Sequence, residues 1–273
     1  MMRSPKRQAG LSLLELMVAM IIGLFIIVGI SSVYLGNKRS NITTNELSLL
    51  QDNGRAILEQ LTEVIQHTGY SSTSAAPTSE VFITSAVANS SCSDGSDNVL
   101  DTSMFSPMAN NTAYGDTVGV IYLGDDLLNT DCGAVQLPAS CRMGSGATSA
   151  AARIYNYFYV APDAAGVPEL RCSGSRNTAA QTIAQGVENL QLTYGEDNNA
   201  DGTPDRYVSS ANVTSWGSVV SVNIAVLVRS LRPIAVANEA RSYRLSEDAI
   251  INTNDRYLRA VFTTTIRLRN VTL

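Results

Sequence analysis

Histidine and positive charge are both scarce in this sequence, and each scarcity argues against a class of function. His67 is the only histidine among 273 residues, which nearly excludes histidine-rich zinc sites and mechanisms that need two imidazoles. The formal net charge is −5, so no overall excess of positive charge is available to hold nucleic acid. Charged residues make up 16% of the chain and hydrophobic residues 45%, a balance that favours a folded core over a disordered chain.

Catalytic motifs are also missing. The sequence has no Walker loop and no GxGxxG pattern after a strand. Gly144-Ser-Gly146 lies in a polar stretch, and Asp125-Asp126 is an acidic pair of a kind common in exposed loops. His67 falls at the end of a predicted helix, where a contact with the helix dipole is the better interpretation. We predict that the chain is not an enzyme and has no catalytic residues.

A long apolar run near the N-terminus is the strongest signal that is present. From Leu11 to Leu35 the only charged residue is Glu15, and basic residues at positions 3, 6 and 7 precede the run. As a helix, residues 11–35 would span roughly 37 Å, enough to cross a hydrocarbon core of about 30 Å. The basic flank should stay in the cytoplasm. We expect a single pass through the inner membrane and a periplasmic C-terminal domain.

Three interpretations of this run compete. A cleaved secretory signal would be shorter and end in a small-x-small site, and a plain anchor leaves the cost of Glu15 in the membrane unexplained. The sequence Gly10-Leu11-Ser12-Leu13-Leu14-Glu15, in contrast, resembles the type III signal of prepilins and pseudopilins. This resemblance implies that residues 1–10 are a leader, that the prepilin peptidase cuts after Gly10, and that the new N-terminus at Leu11 is methylated. The family usually has Phe where this chain has Leu11.

The resemblance also implies a role for Glu15 in subunit registration. In an assembling filament its carboxylate would meet the terminal amine of a neighbouring subunit's Leu11. Each group is costly alone in an apolar environment, so their pairing favours one axial register over others.

The predicted helix continues beyond the membrane. No proline occurs between Leu11 and Ser74, and apolar residues recur on one helical face at Leu47, Leu50, Ile57, Leu61, Val64 and Ile65. We predict one helix from about Leu11 to about Thr68, with residues 36–70 as an amphipathic continuation. Its first half would protrude and its second half would pack on a domain, as in type IV pilins.

Residues 71–273 predict an exported β-rich globular domain with surface loops at 87–116 and 124–152. Short runs rich in Val, Ile, Thr and Tyr predict its strands. These are Glu80–Ala86, Thr117–Leu123, Ile154–Val160, Glu169–Cys172, Asn189–Tyr194, Val219–Arg229 and Tyr257–Leu268. The fold class predicted is therefore α+β and pilin-like, with a long N-terminal helix packed on an antiparallel sheet domain.

The four cysteines are disulfide candidates, because export permits oxidation. They are Cys92, Cys132, Cys141 and Cys172, without CxxC metal spacing, and three pairings are possible. A Cys132–Cys141 bridge would close a small local loop. A Cys132–Cys172 bridge would leave Cys92–Cys141 and is the arrangement we favour.

An Asp-rich segment at residues 197–205 has the spacing of a calcium-binding loop. Its oxygen-bearing positions are Asp197, Asn199, Asp201, Thr203 and Asp205, with Gly202 at the sharp turn. Hard oxygen ligands on a tight loop suit Ca²⁺, so we predict a calcium site. The glutamate expected at the twelfth position is replaced by Val208, and an Asx-rich turn is the alternative.

The C-terminal sequence from GVENLQLTYGEDNNADGTPDRY to DRYLRAVFTTTIRLRN resembles that of PilW-type minor pilins. This resemblance implies a minor pilin of a type IV pilus, which helps to initiate assembly in a complex at the pilus tip. Implied partners are other minor pilins, the major pilin, the prepilin peptidase and the inner-membrane assembly platform. Trp216 is interpreted as a packing residue.

Two other functions stay open. A J-type pseudopilin of type II secretion would share the N-terminal features. A tip adhesin or DNA-uptake receptor would need a binding face, and residues 229–273 carry eight arginines against four acidic residues, a formal charge of +4. Solvated strand arginines are the simpler interpretation of that charge.

Overall fold

The computed structural model describes residues 12–72, 81–83, 90–98, 113–175, 179–247 and 249–270. It is α+β, as predicted: one long N-terminal helix packs its C-terminal part on antiparallel β-sheets. The chain divides into two compact units, Met1–Glu46 and Leu47–Leu273. The predicted boundaries of leader, membrane segment and periplasmic domain stay predictions.

Helix α1 runs from Leu13 to Gln66, within two residues of the predicted bounds. Ser12 precedes it, and Leu11 lies outside the described residues. The chain leaves the helix through Gly69, whose φ of 72° suits a residue without a side chain. The side chain of Asn270 donates hydrogen bonds to the Gln66 and Thr68 carbonyls at 3.0 and 3.3 Å, which satisfies acceptors left open at the helix end.

Twelve strands are described. Their bounds are β1 Ser90–Ser91, β2 Asp97–Asn98, β3 Val118–Leu123, β4 Arg153–Pro162, β5 Pro168–Gly174, β6 Gln181–Gln185, β7 Val187–Glu196, β8 Arg206–Val208, β9 Val219–Pro233, β10 Glu239–Arg244, β11 Ile250–Asp255 and β12 Tyr257–Arg267.

Two four-stranded antiparallel sheets carry the head of the molecule, meaning residues 47–273. One has the order β3-β4-β5-β6 and the other β12-β9-β7-β8, and two-stranded ribbons form from β1-β2 and β10-β11. Six predicted strands correspond to β3, β4, β5, β7, β9 and β12. The predicted strand Glu80–Ala86 is described only at 81–83, where Phe82 bridges Val120. Strand β6 and the β10–β11 hairpin were missed because their short, polar segments carry no apolar alternation.

Both sheets share one hydrophobic core with the helix. Ile57, Leu61 and Ile65 of α1 are buried among apolar residues of β3, β4, β5, β7, β9 and β12. Leu50 is also buried, and Val64 packs partly against the core. The helical face was therefore predicted correctly except at Leu47, which is 45% exposed.

Candidate functional site

The apolar N-terminal segment presents its side chains to the outside. None of the most apolar stretch of α1 is buried, and the helix is long and apolar enough to cross a membrane. Leu13, Phe25 and Ile30 are examples of its exposed apolar side chains. The predicted processing residues, Gly10 and Leu11, lie outside the described residues.

Glu15 forms a capping box with Ser12 at the start of this helix. The Glu15 Oε2 atom accepts hydrogen bonds from the Ser12 backbone N–H at 3.0 Å and the Ser12 hydroxyl at 3.3 Å. In return, the Glu15 N–H donates to the Ser12 hydroxyl oxygen at 3.2 Å. Two donors of the first helical turn are thereby satisfied. The S-x-x-E spacing before an apolar run is a signal that would have revealed this pair from the sequence.

The Asp-rich loop is closed by its own hydrogen bonds. The carboxylate of Asp197 is buried and accepts from four backbone N–H groups, among them those of Ala200 and Gly202 at 2.7 Å each. Asp201 accepts from the Thr203 backbone at 2.8 Å and from the Thr203 hydroxyl. These bonds, together with one from Asn199, lower the pKa of the Asp201 carboxyl.

The far end of the loop is held in the same way. Asp205 accepts from the Asn198 N–H at 2.7 Å and from the Asn199 side-chain amide at 3.3 Å. Among the residues that the structure describes, no group of three or more His, Cys, Asp or Glu side chains is placed to hold a metal ion. Because its carboxylates are engaged with backbone N–H groups, the loop is an Asx-rich turn here, and the calcium site stays a prediction.

Glu196, which directly precedes this loop, binds side chains and backbone of two segments that follow it, at Arg206 and Thr214. Its side chain is 0% exposed and accepts from the Arg206 guanidinium at 2.7 and 2.9 Å, and from the Thr214 N–H and hydroxyl at 2.6 and 2.7 Å. Burial alone would raise the pKa of Glu196, but hydrogen bonds from Thr214, Ser215 and Arg206 outweigh it and lower the pKa to about 2. The sequence analysis did not single out Glu196.

The structure pairs Cys92 with Cys141 and Cys132 with Cys172, which is the arrangement favoured from the sequence. The Cα atoms are 4.5 and 6.2 Å apart, and the bridges close loops of 49 and 40 residues. Cys172 lies in the main core, and Cys92 and Cys141 lie in a smaller cluster with Leu137. Each bridge therefore ties a long connection to a packed region.

Several arginines of the basic C-terminal region are neutralised within the head. The side chain of Arg259 is 3% exposed and forms ion pairs with both Glu188 and Asp255, at 2.5 and 2.6 Å. Arg229 lies 3.3 Å from Glu188 and stacks over the Tyr257 ring at 4.3 Å. Burial disfavours the charge of Arg259, but Asp255 and Glu188 outweigh burial and raise its pKa. The formal +4 charge thus overstates what these residues offer to a partner.

The two aromatic residues singled out from the sequence both have packing contacts. Trp216 lies 4.9 Å from Tyr194 and 5.3 Å from Phe82 between ring centroids, which supports its interpretation as a packing residue. His67 follows the last residue of α1, and its ring stands 6.2 Å from that of Tyr122 in an edge arrangement.

Comparison with known proteins places two signatures on this chain. Residues 157–270 match the family model "Type IV Pilus-assembly protein W", and residues 5–31 match the model "Prokaryotic N-terminal methylation motif". These matches support the PilW-type minor pilin recognised from the sequence. A type IV-like pilin from Thermus thermophilus is similar in structure, with 13% identity, coverage of 84% of this chain and 97% of that chain, and a TM-score of 0.39. No curated protein matches significantly.

Proposed function

We propose that this chain, a type IV minor pilin of the PilW type by its two family signatures, helps to initiate pilus assembly as part of a minor-pilin complex at the pilus tip. The observation that carries this proposal is the joint occurrence of the methylation motif and the PilW region on one chain, at residues 5–31 and 157–270. The first signature concerns processing and membrane insertion. The second lies in the part of the head that contains β7, β9 and β12.

The N-terminal segment supplies the means of joining a filament. In the proposal, the prepilin peptidase cuts after Gly10, and the amine of Leu11 is methylated. The exposed apolar side chains of residues 13–35 then pack first among lipid tails and later among the same segments of other subunits. Both lipid tails and neighbouring apolar helices offer van der Waals contacts to such a segment, so it can leave the membrane for the filament without exposing apolar surface to water.

Glu15 would give this packing its register. A carboxylate among apolar helices is costly unless it is paired, and the Leu11 amine of a neighbouring subunit is a suitable partner. In the single chain, Ser12 satisfies one oxygen of Glu15, Oε2. A carboxylate has capacity for several further hydrogen bonds, so the capping box and the pairing between subunits are compatible.

The head would make the contacts that distinguish a minor pilin from the major pilin. Two disulfides suit a domain that works in the oxidising periplasm. The proposed partners are other minor pilins, the major pilin and the inner-membrane assembly platform.

The test uses the full chain, expressed in a piliated host that lacks its own copy. We expect pili to be lost in the deletion strain, restored by the wild-type chain, and lost again with Glu15→Gln. Glu59→Gln, which changes an exposed glutamate in the C-terminal part of α1, is the matched control and should restore pili. Intact mass should show an N-terminus at methylated Leu11 only when the prepilin peptidase is present.

Three results would contradict the proposal. An unprocessed Met1, or a cut after the apolar run, would remove the chain from filament assembly altogether. Normal piliation with loss of protein secretion in the deletion strain would instead identify a type II secretion pseudopilin. Normal pili that no longer take up DNA or adhere would identify a receptor or adhesin without an assembly role.

A further inference from the structure

A groove on the outer face of the β12-β9-β7-β8 sheet is not used by the proposed assembly function. Along β7 and β9, Leu192 and Ile224 point into the core, so the alternating residues Thr193 and Asn223 point to the opposite face. The groove that lies over this face has a volume of about 510 Å³, which is within the range of small-molecule sites.

Two segments build the walls of the groove. One wall is formed within residues 207–212, and the other by residues 245–247 and 249, which lie between β10 and β11, where Leu245 packs on Ala225 and Leu227. The first wall is anchored at both ends, because the buried carboxylate of Glu196 binds Arg206 before it and Thr214 after it. This wall of the groove therefore has a defined position in the fold.

The floor offers uncharged hydrogen-bonding groups. Thr193 pairs with Asn223 across the two strands, and Gln191 with Ala225. Within the described part of the chain, the side chains of Thr193 and Asn223 have no hydrogen-bond partner, and Gln191 uses its amide N–H on Asn189 at 2.9 Å, which leaves its carbonyl oxygen available. Amide and hydroxyl groups of this kind can donate and accept hydrogen bonds at the same time.

An aromatic ring stands at one end of the floor. Tyr207 on β8 pairs with Gly195 on β7. The Tyr207 ring lies close over Gly195, in space that a side chain at position 195 would occupy. The Ser221 hydroxyl donates to the Tyr207 hydroxyl at 3.1 Å and holds the ring in place. With 46% of its surface exposed, Tyr207 presents an apolar surface to a ligand beside the polar floor.

From this groove we infer that the head binds a neutral saccharide. A sugar ring presents hydroxyl groups, which match the amides and hydroxyls of Gln191, Thr193 and Asn223, and an apolar C–H face, which matches the Tyr207 ring. The only ionisable side chains that line the groove among the described residues are those of Tyr207 and Glu247. The described lining, with one carboxylate and no cation, disfavours phosphates, nucleic acid and acidic sugars.

The inference goes beyond the proposed assembly function and is tested separately from it. The full chain is purified in a detergent without a sugar head group, because a maltoside would compete for the groove. Saturation-transfer NMR is then measured with lactose, maltose, mannose and the disaccharide of N-acetylglucosamine, with sialyllactose as the acidic comparator. We expect saturation transfer to at least one neutral sugar. Transfer to the N-acetylglucosamine disaccharide would indicate a ligand of the cell-wall type, and transfer to the sugars without N-acetyl groups would indicate a surface glycan.

Variants locate the binding on the chain. Asn223→Ala and Tyr207→Ala should each weaken the affinity at least tenfold, whereas Asn254→Ala, an exposed asparagine on β11, should leave it unchanged. All three variants should retain the wild-type melting temperature and restore piliation. The inference is overturned if no neutral sugar binds the wild-type chain, if the groove variants bind as well as wild type, or if they lose piliation because the groove instead holds a segment of another pilin.

Discussion

Gly54 of α1 lies directly against the ring of Phe262 on β12, so closely that a methyl group at position 54 would overlap with the ring. A glycine inside a helix costs about 1 kcal/mol relative to alanine. Close packing of a helix on a strand explains why this helix nevertheless has one at a buried position. Gly54 thus sets the distance between α1 and the sheet.

Gly54→Ala should therefore destabilise the head, although alanine is the better helix former. We expect a loss of about 1–3 kcal/mol from overpacking, measured by thermal or denaturant unfolding of the full chain in detergent. Gly36→Ala is the matched control, because a Cβ placed there has no atom within 4 Å apart from its chain neighbours and the nearby backbone of the helix, and it should not destabilise the protein. A second change, Phe262→Ala, should recover part of the loss in the Gly54→Ala background; strictly additive effects would mean that the two residues do not interact.

Glu196 should make the stability of the head depend on pH in the acidic range. Its pKa is about 2 in the folded head, against an ordinary value of 4.5. Because the folded pKa is the lower one, the stabilisation is complete above about pH 4.5 and is lost as the pH falls towards 2. At about 1.4 kcal/mol per pH unit, the loss is on the order of 3 kcal/mol. Unfolding curves of the wild type between pH 6 and 2 should show this loss of stability. The Glu196→Gln variant should be less stable than the wild type at pH 7, and its free energy of unfolding should change less with pH.

Arg259 should contribute to stability far more than an exposed arginine of the same region. Removing it leaves Glu188 without its main partner in a place where the Arg259 side chain is only 3% exposed. Breaking a buried pair in this way costs about 3–5 kcal/mol. Arg259→Ala should lower the free energy of unfolding by an amount of that order. Arg241→Ala removes an ion pair with Glu239 in which the arginine is 52% exposed, and it should cost at most about 1 kcal/mol. If Arg259→Ala and Arg241→Ala lower the free energy of unfolding equally, the ion pairs of Arg259 do not stabilise the head more than an exposed ion pair does.

Asp197→Ala should destabilise the Asp-rich loop even without metal. The variant leaves the N–H groups of residues 199, 200 and 202 without their acceptor, whereas the Asp201 N–H keeps the Asn199 side chain. An unpaired donor costs up to about 1–3 kcal/mol where water does not reach it. We expect a lower melting temperature in EDTA. A wild-type protein that CaCl₂ stabilises, with the gain removed by Asp201→Ala, would bear out the predicted calcium site. If Asp201→Ala lowers the melting temperature equally in EDTA and in CaCl₂, the loop is a turn without a calcium site.

Local sequence signals were sufficient for much of the architecture. The absence of proline and the spacing of Leu50, Ile57, Leu61 and Ile65 predicted a continuous helix and its buried face, because helical periodicity is a property of neighbouring residues. Strands β4, β7, β9 and β12 were found for the same kind of reason, since each is a long run of β-branched and aromatic residues. The capping box of Ser12 and Glu15 was equally local and was overlooked.

What the sequence by itself determined, then, is the order of elements, the apolar N-terminal helix with its processing motif, and the set of cysteines free to pair. Only the tertiary structure decided which glycine meets Phe262, how Arg259 is neutralised by Glu188, and that Thr193 and Asn223 share one groove with Tyr207. These relationships join residues that are distant in the chain. They depend on strand register and sheet packing, in which a shift of one residue would turn every side chain of a strand to the other face.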